Sequence, residues 1–253
     1  MKPPAGRPSS RPSAAAPRHG LARVLSKLGV CSRSQAEAAI RDGRVMVNGR
    51  IERNPERPSD AARDRITLDG QPVAAAAKRY IAINKPRGVV VSAADERGRD
   101  TIYALLSEAG LPWIGPVGRL DKASEGLLLL SNDTVWAAGI TEPAGQLEKT
   151  YHVQVAGLPD AAALAAMEAG IVDQGERLSA RRVSVLRSGE KNCWLEVVLD
   201  EGRNRHIRRL LDALGYDTLR LLRVSIGGLA LGDLAKGAWR DLSADEVTAL
   251  RQL

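Results

Sequence analysis

Nowhere in its 253 residues does the chain reach the ~18 uninterrupted apolar residues a membrane-spanning helix needs, its leucine run from Leu127 to Leu130 being far too short. The N-terminus lacks the apolar core of a secretory signal. Cysteine is scarce, and Cys31 and Cys193 stand too far apart to suggest a disulfide framework, which fits a reducing, cytoplasmic setting. Neither a Gly-x-x-x-x-Gly-Lys-Ser/Thr loop nor a strand-turn-helix Gly-x-Gly-x-x-Gly occurs, so nucleotide and dinucleotide cofactors lack their usual cradle. His19, His152 and His206 are scattered without Cys or carboxylate partners at ligand spacing, which argues against a metal site. A serine hydrolase finds no Gly-x-Ser-x-Gly elbow. Acids are missing from the first 36 residues, where Lys2, Arg7, Arg11, Arg18, Arg23, Lys27 and Arg33 precede Glu37, and the remainder is balanced at 30 basic and 30 acidic groups. The whole net charge of +7 therefore sits at one end. Two readings fit that asymmetry: a polyanion partner, most simply nucleic acid, or a solvated charged tail.

What is present describes a folded protein. Hydrophobic residues make up 44% and charged residues 26%, near the globular average, and the length predicts two modest domains. Residues 1 to 19 carry almost no large apolar side chain and read as a disordered basic tail. From residue 20 to 70 a small α+β domain is expected. Leu21, Val24, Leu25 and Leu28 follow helical spacing up to Gly29, and Ser34-Gln35-Ala36-Glu37 has the form of a capping box opening a second helix that stops near Gly43. Val45 and Val47 alternate before the hairpin signal Asn48-Gly49, and Arg65 to Leu68 reads as a returning strand ending at Asp69-Gly70. Residues 71 to 78, rich in alanine, read as a linker.

The larger domain, 79 to 253, should be mostly antiparallel α+β. Strands are expected at Tyr80 to Asn84, Val89 to Ser92, Gly126 to Leu130, Lys149 to Val155, Arg182 to Leu186, Cys193 to Leu199 and Leu219 to Ile226. Helices are expected at Ile102 to Glu108, Asp160 to Glu168 closed by Gly170, Arg205 to Leu214 closed by Gly215, and Ser243 to Leu250 after a Ser-x-x-Glu box. Strands outnumbering helices in this way favours α+β over a doubly wound sheet.

Three clusters could carry chemistry. Gly118-Arg119-Leu120-Asp121-Lys122 holds a carboxylate between two cations on a loop before an apolar strand. Flanking cations favour its ionised form, a usable nucleophile, although a surface salt-bridge cluster would look the same. Glu201 to Arg209 packs four arginines into seven residues, with Arg205, Arg208 and Arg209 on one helical face suited to phosphate and Ile207, Leu210, Leu211 and Leu214 on the core face. Tyr151 lies in an apolar strand, where it either packs or stacks.

Taken in order and spacing, Gly118 to Asp133, then Glu148-Lys149-Thr150-Tyr151, then Glu201 to Arg209 resemble the ribosomal pseudouridine synthases of the small-subunit uridine synthase type. Asn84 to Gly88 looks like that family's opening catalytic strand and turn. Residues 20 to about 66 resemble the αL RNA-binding motif shared with ribosomal protein S-four, through Cys31 to Ala36 and Val45 to Gly49. Departures are mild: Ser124 for a common Thr, His206 for Gln, and Glu142-Pro143 for His-Pro.

The resemblance implies cofactor-free isomerisation of a uridine in ribosomal RNA, with a lean toward the large subunit. Asp121 would be the nucleophile, attacking the base or the sugar carbon. Tyr151 would stack on the flipped base, and Arg208 would pair with Asp121. Arg23, Lys27, Arg33 and Asn48 in the small domain would contact RNA, as would Lys85, Arg119, Lys122, Arg203, Arg205 and Arg209 in the larger. The partner would be ribosomal RNA or a pre-ribosomal particle, with no membrane, and the protein a monomer. Two rivals remain. A non-catalytic assembly factor would need the arginines but neither Asp121 nor Tyr151, and a glycosidase would want a second carboxylate that is not evident near Asp121.

Overall fold

The computed structural model describes residues 19–92, 98–141 and 147–251. The basic tail read for residues 1 to 19 lies outside these but for His19, and so does Glu142-Pro143. The described chain divides into two compact units: a stretch ending at Ser26 together with Arg33–Ala74, and Lys27–Ser32 together with the chain from Ala75 onward.

In the first unit two short helices, Leu21–Lys27 and Arg33–Arg41, accompany a four-stranded antiparallel sheet. Its strands run in the order Arg50–Ile51, Val45–Val47, Ile66–Leu68 and Gln71–Pro72. Leu21, Leu25, Ile40, Val45 and Val47 are fully or nearly fully buried. Asn48 and Gly49 both take positive φ, as a two-residue hairpin with the right-handed twist of its strands requires. Two local expectations shift. The second helix begins at Arg33, so Ser34 falls inside its first turn, and Glu37 pairs with Arg33 and Arg41 instead of closing a box. Gln71–Pro72, expected in the linker, is a short edge strand paired to Thr67 and Leu68.

The second unit is built on a nine-stranded sheet whose main path runs Arg182–Ser188, Asn192–Leu199, Lys149–Ala156, Thr218–Ile226, Glu125–Ser131, Tyr80–Lys85 and Trp239–Asp241. Every junction is antiparallel except the one between Thr218–Ile226 and Glu125–Ser131. The chain is thus a mixed α+β protein, as expected. Glu125–Ser131 is buried along its whole length. Leu128 and Leu130 face one apolar cluster, with Tyr151, Val153 and the helix His206–Ala213; Leu127 and Leu129 face the other, with Trp136, Ile140 and Leu250. Burying Ile207, Leu210 and Leu211 contributes about 1.5–3 kcal/mol each and seats that helix on the sheet.

Some elements differ from expectation. Val89 to Ser92 is not a strand; only Val90 bridges, to Thr101. Helix at Ile102 to Glu108 shrinks to a 3₁₀ turn, Ala104–Leu106. An unanticipated helix, Thr134–Thr141, starts where the Asp133 carboxylate accepts from the Val135 and Trp136 amides. The capping box at Ser243 forms as the spacing predicts, and Asp160 caps the helix Ala161–Ala169 where a helix from Asp160 is expected. No helix among the described residues is long and apolar enough to cross a membrane.

Candidate active site

The site begins with a close approach of two backbones. Gly126, second residue of its strand, sits at φ +102°, and a Cβ there would stand 2.3 Å from the Arg223 carbonyl oxygen. Only glycine lets the two parallel strands meet with Glu125 beside Leu222 and Gly126 beside Arg223. Across the next ladder Tyr151 pairs with Arg223. The Asp121 turn, immediately before Gly126, is thereby brought to the sheet face that carries Tyr151. Asp121, Tyr151, Lys149, Arg119, Arg203, Arg205 and Arg223 all line one cleft of about 350 Å³.

Four successive carbonyls hold the Asp121 turn in place. The Asp121 carbonyl accepts from the Ser124 amide at 3.0 Å and from Lys85 Nζ at 3.2 Å. That of Lys122 accepts from the Gly88 amide at 2.8 Å, that of Ala123 from Arg208 Nη2 at 3.3 Å, and that of Ser124 from Lys85 Nζ at 2.8 Å. With its backbone so determined, the turn presents a carboxylate that makes no hydrogen bond or ion pair among the described residues. A partly exposed, unpartnered carboxylate in a cation-lined cleft is suited to attack an electrophilic carbon. Tyr151 is 9% exposed: its ring packs in the apolar cluster with Leu128 and Val153 and also lines the cleft, and its hydroxyl is likewise unbonded among the described residues.

Several expected contacts prove to be internal. Lys85, expected on RNA, is fully buried, its ammonium spent on the carbonyls of Pro86, Asp121 and Ser124. Burial pulls its pKa down to about 8, against the attraction of Asp121 and Glu125. Arg209 was expected on phosphate but is clamped to the hairpin Ile171–Leu178, donating to the Asp173 carboxylate and carbonyl and to Glu176 at 2.6 Å. Arg208 does not pair with Asp121. It is buried, donating to the Ala123 and Thr218 carbonyls, and attracts the carboxylate only through space. The three arginines therefore do not form a common phosphate face. Arg205 is exposed and caps the helix in the left-handed region at φ +51°, Arg208 is inside, and Arg209 is neutralised.

The remaining candidates stay on the surface. Arg119, Arg203 and Arg205 are exposed along the cleft, with Arg203 shared between Glu201 at 3.0 Å and Glu176 at 3.5 Å. Lys122 is exposed beside the turn but outside the cleft lining. In the first unit Arg23 is exposed, and Arg33 pairs with Glu37 and Glu56. Lys27 closes its helix half-buried. Asn48 spends its side chain on Asp64 and the Arg65 amide, so its part is to shape the turn. Lys149 and Arg223 were not anticipated. A lone arginine inside the apolar stretch Leu221-Leu222-Arg223-Val224 was the available signal.

Lys85 yields a signed prediction. Below pH 8 the folded protein carries the full cost of a buried cation; between pH 8 and 10.5 it releases that proton before the unfolded chain does. The unfolded state then binds more protons, so stability relative to Lys85→Met should rise with pH across this window and stay level below it. Urea midpoints of the two proteins at matched pH check this. A difference that falls between pH 8 and 10 would reject the assignment.

Residues 79–213 match the RNA pseudouridylate synthase family, and residues 20–58 match the S4 domain. An uncharacterized RNA pseudouridine synthase of Aquifex aeolicus is 37% identical over 230 residues, 90% of this chain and 92% of that protein. The ribosomal large subunit pseudouridine synthase B of Bacillus subtilis is 34% identical, covering 92% of this chain and 96% of the relative. Among solved structures, a pseudouridylate synthase at 29% identity superposes with a TM-score of 0.65 over 92% of this chain and 99% of its own. With the fold, both sequence segments and near full-length relatives in agreement, the chain belongs to the RNA pseudouridine synthases and carries an S4 domain ahead of its synthase unit.

Proposed function

We propose that the protein converts a uridine of large-subunit ribosomal RNA to pseudouridine, with Asp121 as nucleophile. The observation that carries this reading is the unpartnered Asp121 carboxylate in the same cation-lined cleft as Tyr151. The relative named for the ribosomal large subunit supports the choice of RNA. In the reaction the N1–C1′ bond breaks, a C5–C1′ bond forms, and the C5 proton is lost while N1 gains one, so the product is an isomer of the substrate. No electron or group enters or leaves, and the chemistry calls for no cofactor. The target uridine leaves its stack at a cost of a few kcal/mol, repaid by stacking on Tyr151 and by phosphate contacts to Arg119, Arg203 and Arg205. Asp121 then adds either to C1′, displacing N1, or to the base, whose N1–C1′ bond then breaks; the base turns within the cleft, and the bond to Asp121 is broken again as C5 joins C1′ or by elimination afterwards. Tyr151 bounds that motion and assists removal of the C5 proton. Arg208 acts as a positioning residue through the Ala123 carbonyl, and the reaction belongs in the cytoplasm on ribosomal RNA or a pre-ribosomal particle.

Mapping pseudouridine in ribosomal RNA from cells with and without this protein tests the assignment. Loss of one large-subunit site on deletion is the expected result; an unchanged map would defeat it. Tyr151 separates stacking from proton transfer. Tyr151→Phe should keep affinity and slow the single-turnover rate, whereas Tyr151→Ala should also weaken RNA binding by about 1–3 kcal/mol. Wild-type behaviour in both variants would make Tyr151 a packing residue.

A further inference from the structure

Two cations in the cleft have no part in the chemistry above. Lys149 and Tyr151 lie two residues apart on one strand and so face the same side, and Arg223 faces Tyr151 across the ladder. The aromatic ring is thus flanked by a positive group along its own strand and another on its neighbour. Arg223 is 5% exposed; its Nε donates to the Leu127 carbonyl at 2.7 Å, while its buried Nη2 has no partner among the described residues. Lys149 is partly buried and forms no ion pair or hydrogen bond among the described residues. Burial first, and then the positive charge of Arg223, holds its amine below the ordinary lysine value, with Asp200 opposing.

Like charges sharing a low-dielectric wall repel, and a folded protein ordinarily answers them with a carboxylate. Among the described residues none lies within contact. Asp200 acts only at a distance, and Asp121 is carried by the turn before Gly126. An anion entering the cleft would relieve the repulsion and could give the orphaned Nη2 an acceptor. The neighbouring ring limits which anion fits. A group lying on Tyr151 while a negative charge reaches both flanking cations must join a flat ring to an anionic oxygen through a short spacer, which describes a nucleotide.

We propose that Lys149 and Arg223 hold a backbone phosphodiester of the RNA beside the nucleotide whose base lies on Tyr151, so that sugar position, and not the base alone, is set before Asp121 attacks. This rests on the function proposed above. Lys149 serves as a point charge, and Arg223 offers a planar fork already fixed at Nε. Because Lys149 is partly buried and Arg223 buried where they line the cleft, this phosphate contact depends on the nucleotide being flipped, unlike those of the exposed Arg119 and Arg205.

The test uses the full chain and a short RNA containing the target uridine, synthesised with an uncharged methylphosphonate at the phosphate on its 5′ or its 3′ side. One of the two replacements should weaken wild-type binding roughly tenfold to a hundredfold, the range for charge-assisted hydrogen bonds. Lys149→Met should bind unmodified RNA more weakly by a similar factor, show a salt slope smaller by roughly 0.7, and lose nothing further with that methylphosphonate. Arg223→Lys keeps the charge, guards against a folding failure from full truncation, and should likewise mute the response. An equal loss in wild type and Lys149→Met overturns the proposal, as does no loss from either replacement. Pseudouridine formation on the same unmodified RNA is scored separately. Its absence would defeat the proposed function, while the binding comparison decides the phosphate site alone.

Discussion

Asp121→Asn is expected to melt with the wild type, bind RNA with unchanged affinity and form no pseudouridine. The carboxylate has no hydrogen bond or ion pair among the described residues, and all four carbonyls of its turn are satisfied by other groups, so the amide disturbs nothing structural. What it removes is the nucleophile. Loss of a covalent catalyst costs orders of magnitude, here roughly a thousandfold or more in the single-turnover rate at saturating enzyme. Tritium release from 5-tritiated uridine in ribosomal RNA transcripts measures it. Activity within about tenfold of wild type would remove Asp121 from the chemistry, and a lowered melting temperature would show that the carboxylate braces the turn after all.

Gly126→Ala should have the largest effect on folding. A methyl group there would meet the Arg223 carbonyl oxygen at 2.3 Å and its amide nitrogen at 2.9 Å, and both belong to backbone that cannot turn aside. The residue also sits at φ +102°, which side chains rarely adopt. Separating the two strands would break the one parallel junction of the sheet and pull Asp121 away from Tyr151. We expect a loss of roughly 3 kcal/mol or more in urea unfolding, with activity lost even below the melting transition. A variant as stable and active as the wild type would mean that the strands can part without consequence.

Local rules made much of the architecture legible. Asn48-Gly49 and Asp69-Gly70 mark their turns, Asp160 and Ser243 cap helices that start where expected, Gly170 ends the first of these, and Gly215 follows the helix His206–Ala213. The motif around Asp121 and the strand of Tyr151 were likewise readable, and both line the cleft. Features decided by distant partners were not. Nothing near Lys85 announces that its ammonium will be buried beneath carbonyls contributed from Asp121 and Ser124. Arg205, Arg208 and Arg209 read alike in sequence, yet Asp173 and Glu176 neutralise the last, the Ala123 and Thr218 carbonyls engage the second, and the first is left exposed. Helix Thr134–Thr141 escaped notice because its apolar residues are scattered around its circumference and its cap stands directly behind an apolar strand. Val89 to Ser92 has the side chains of a strand but only a single bridge to Thr101.

The parallel junction also sets when the enzyme can come into being during synthesis. Asp121 and Tyr151 leave the ribosome well before Thr218–Ile226, the strand that lies between theirs in the sheet. Until that strand arrives, Lys149–Ala156 and Glu125–Ser131 have no common neighbour, and the two halves of the cleft belong to separate pieces of sheet. Closing so long a loop is entropically expensive and slow, characteristic of topologies of high contact order. A nascent chain stopped short of Thr218 therefore carries both groups proposed for the reaction and is expected to form no pseudouridine. Activity is expected only in chains long enough to contain Thr218–Ile226.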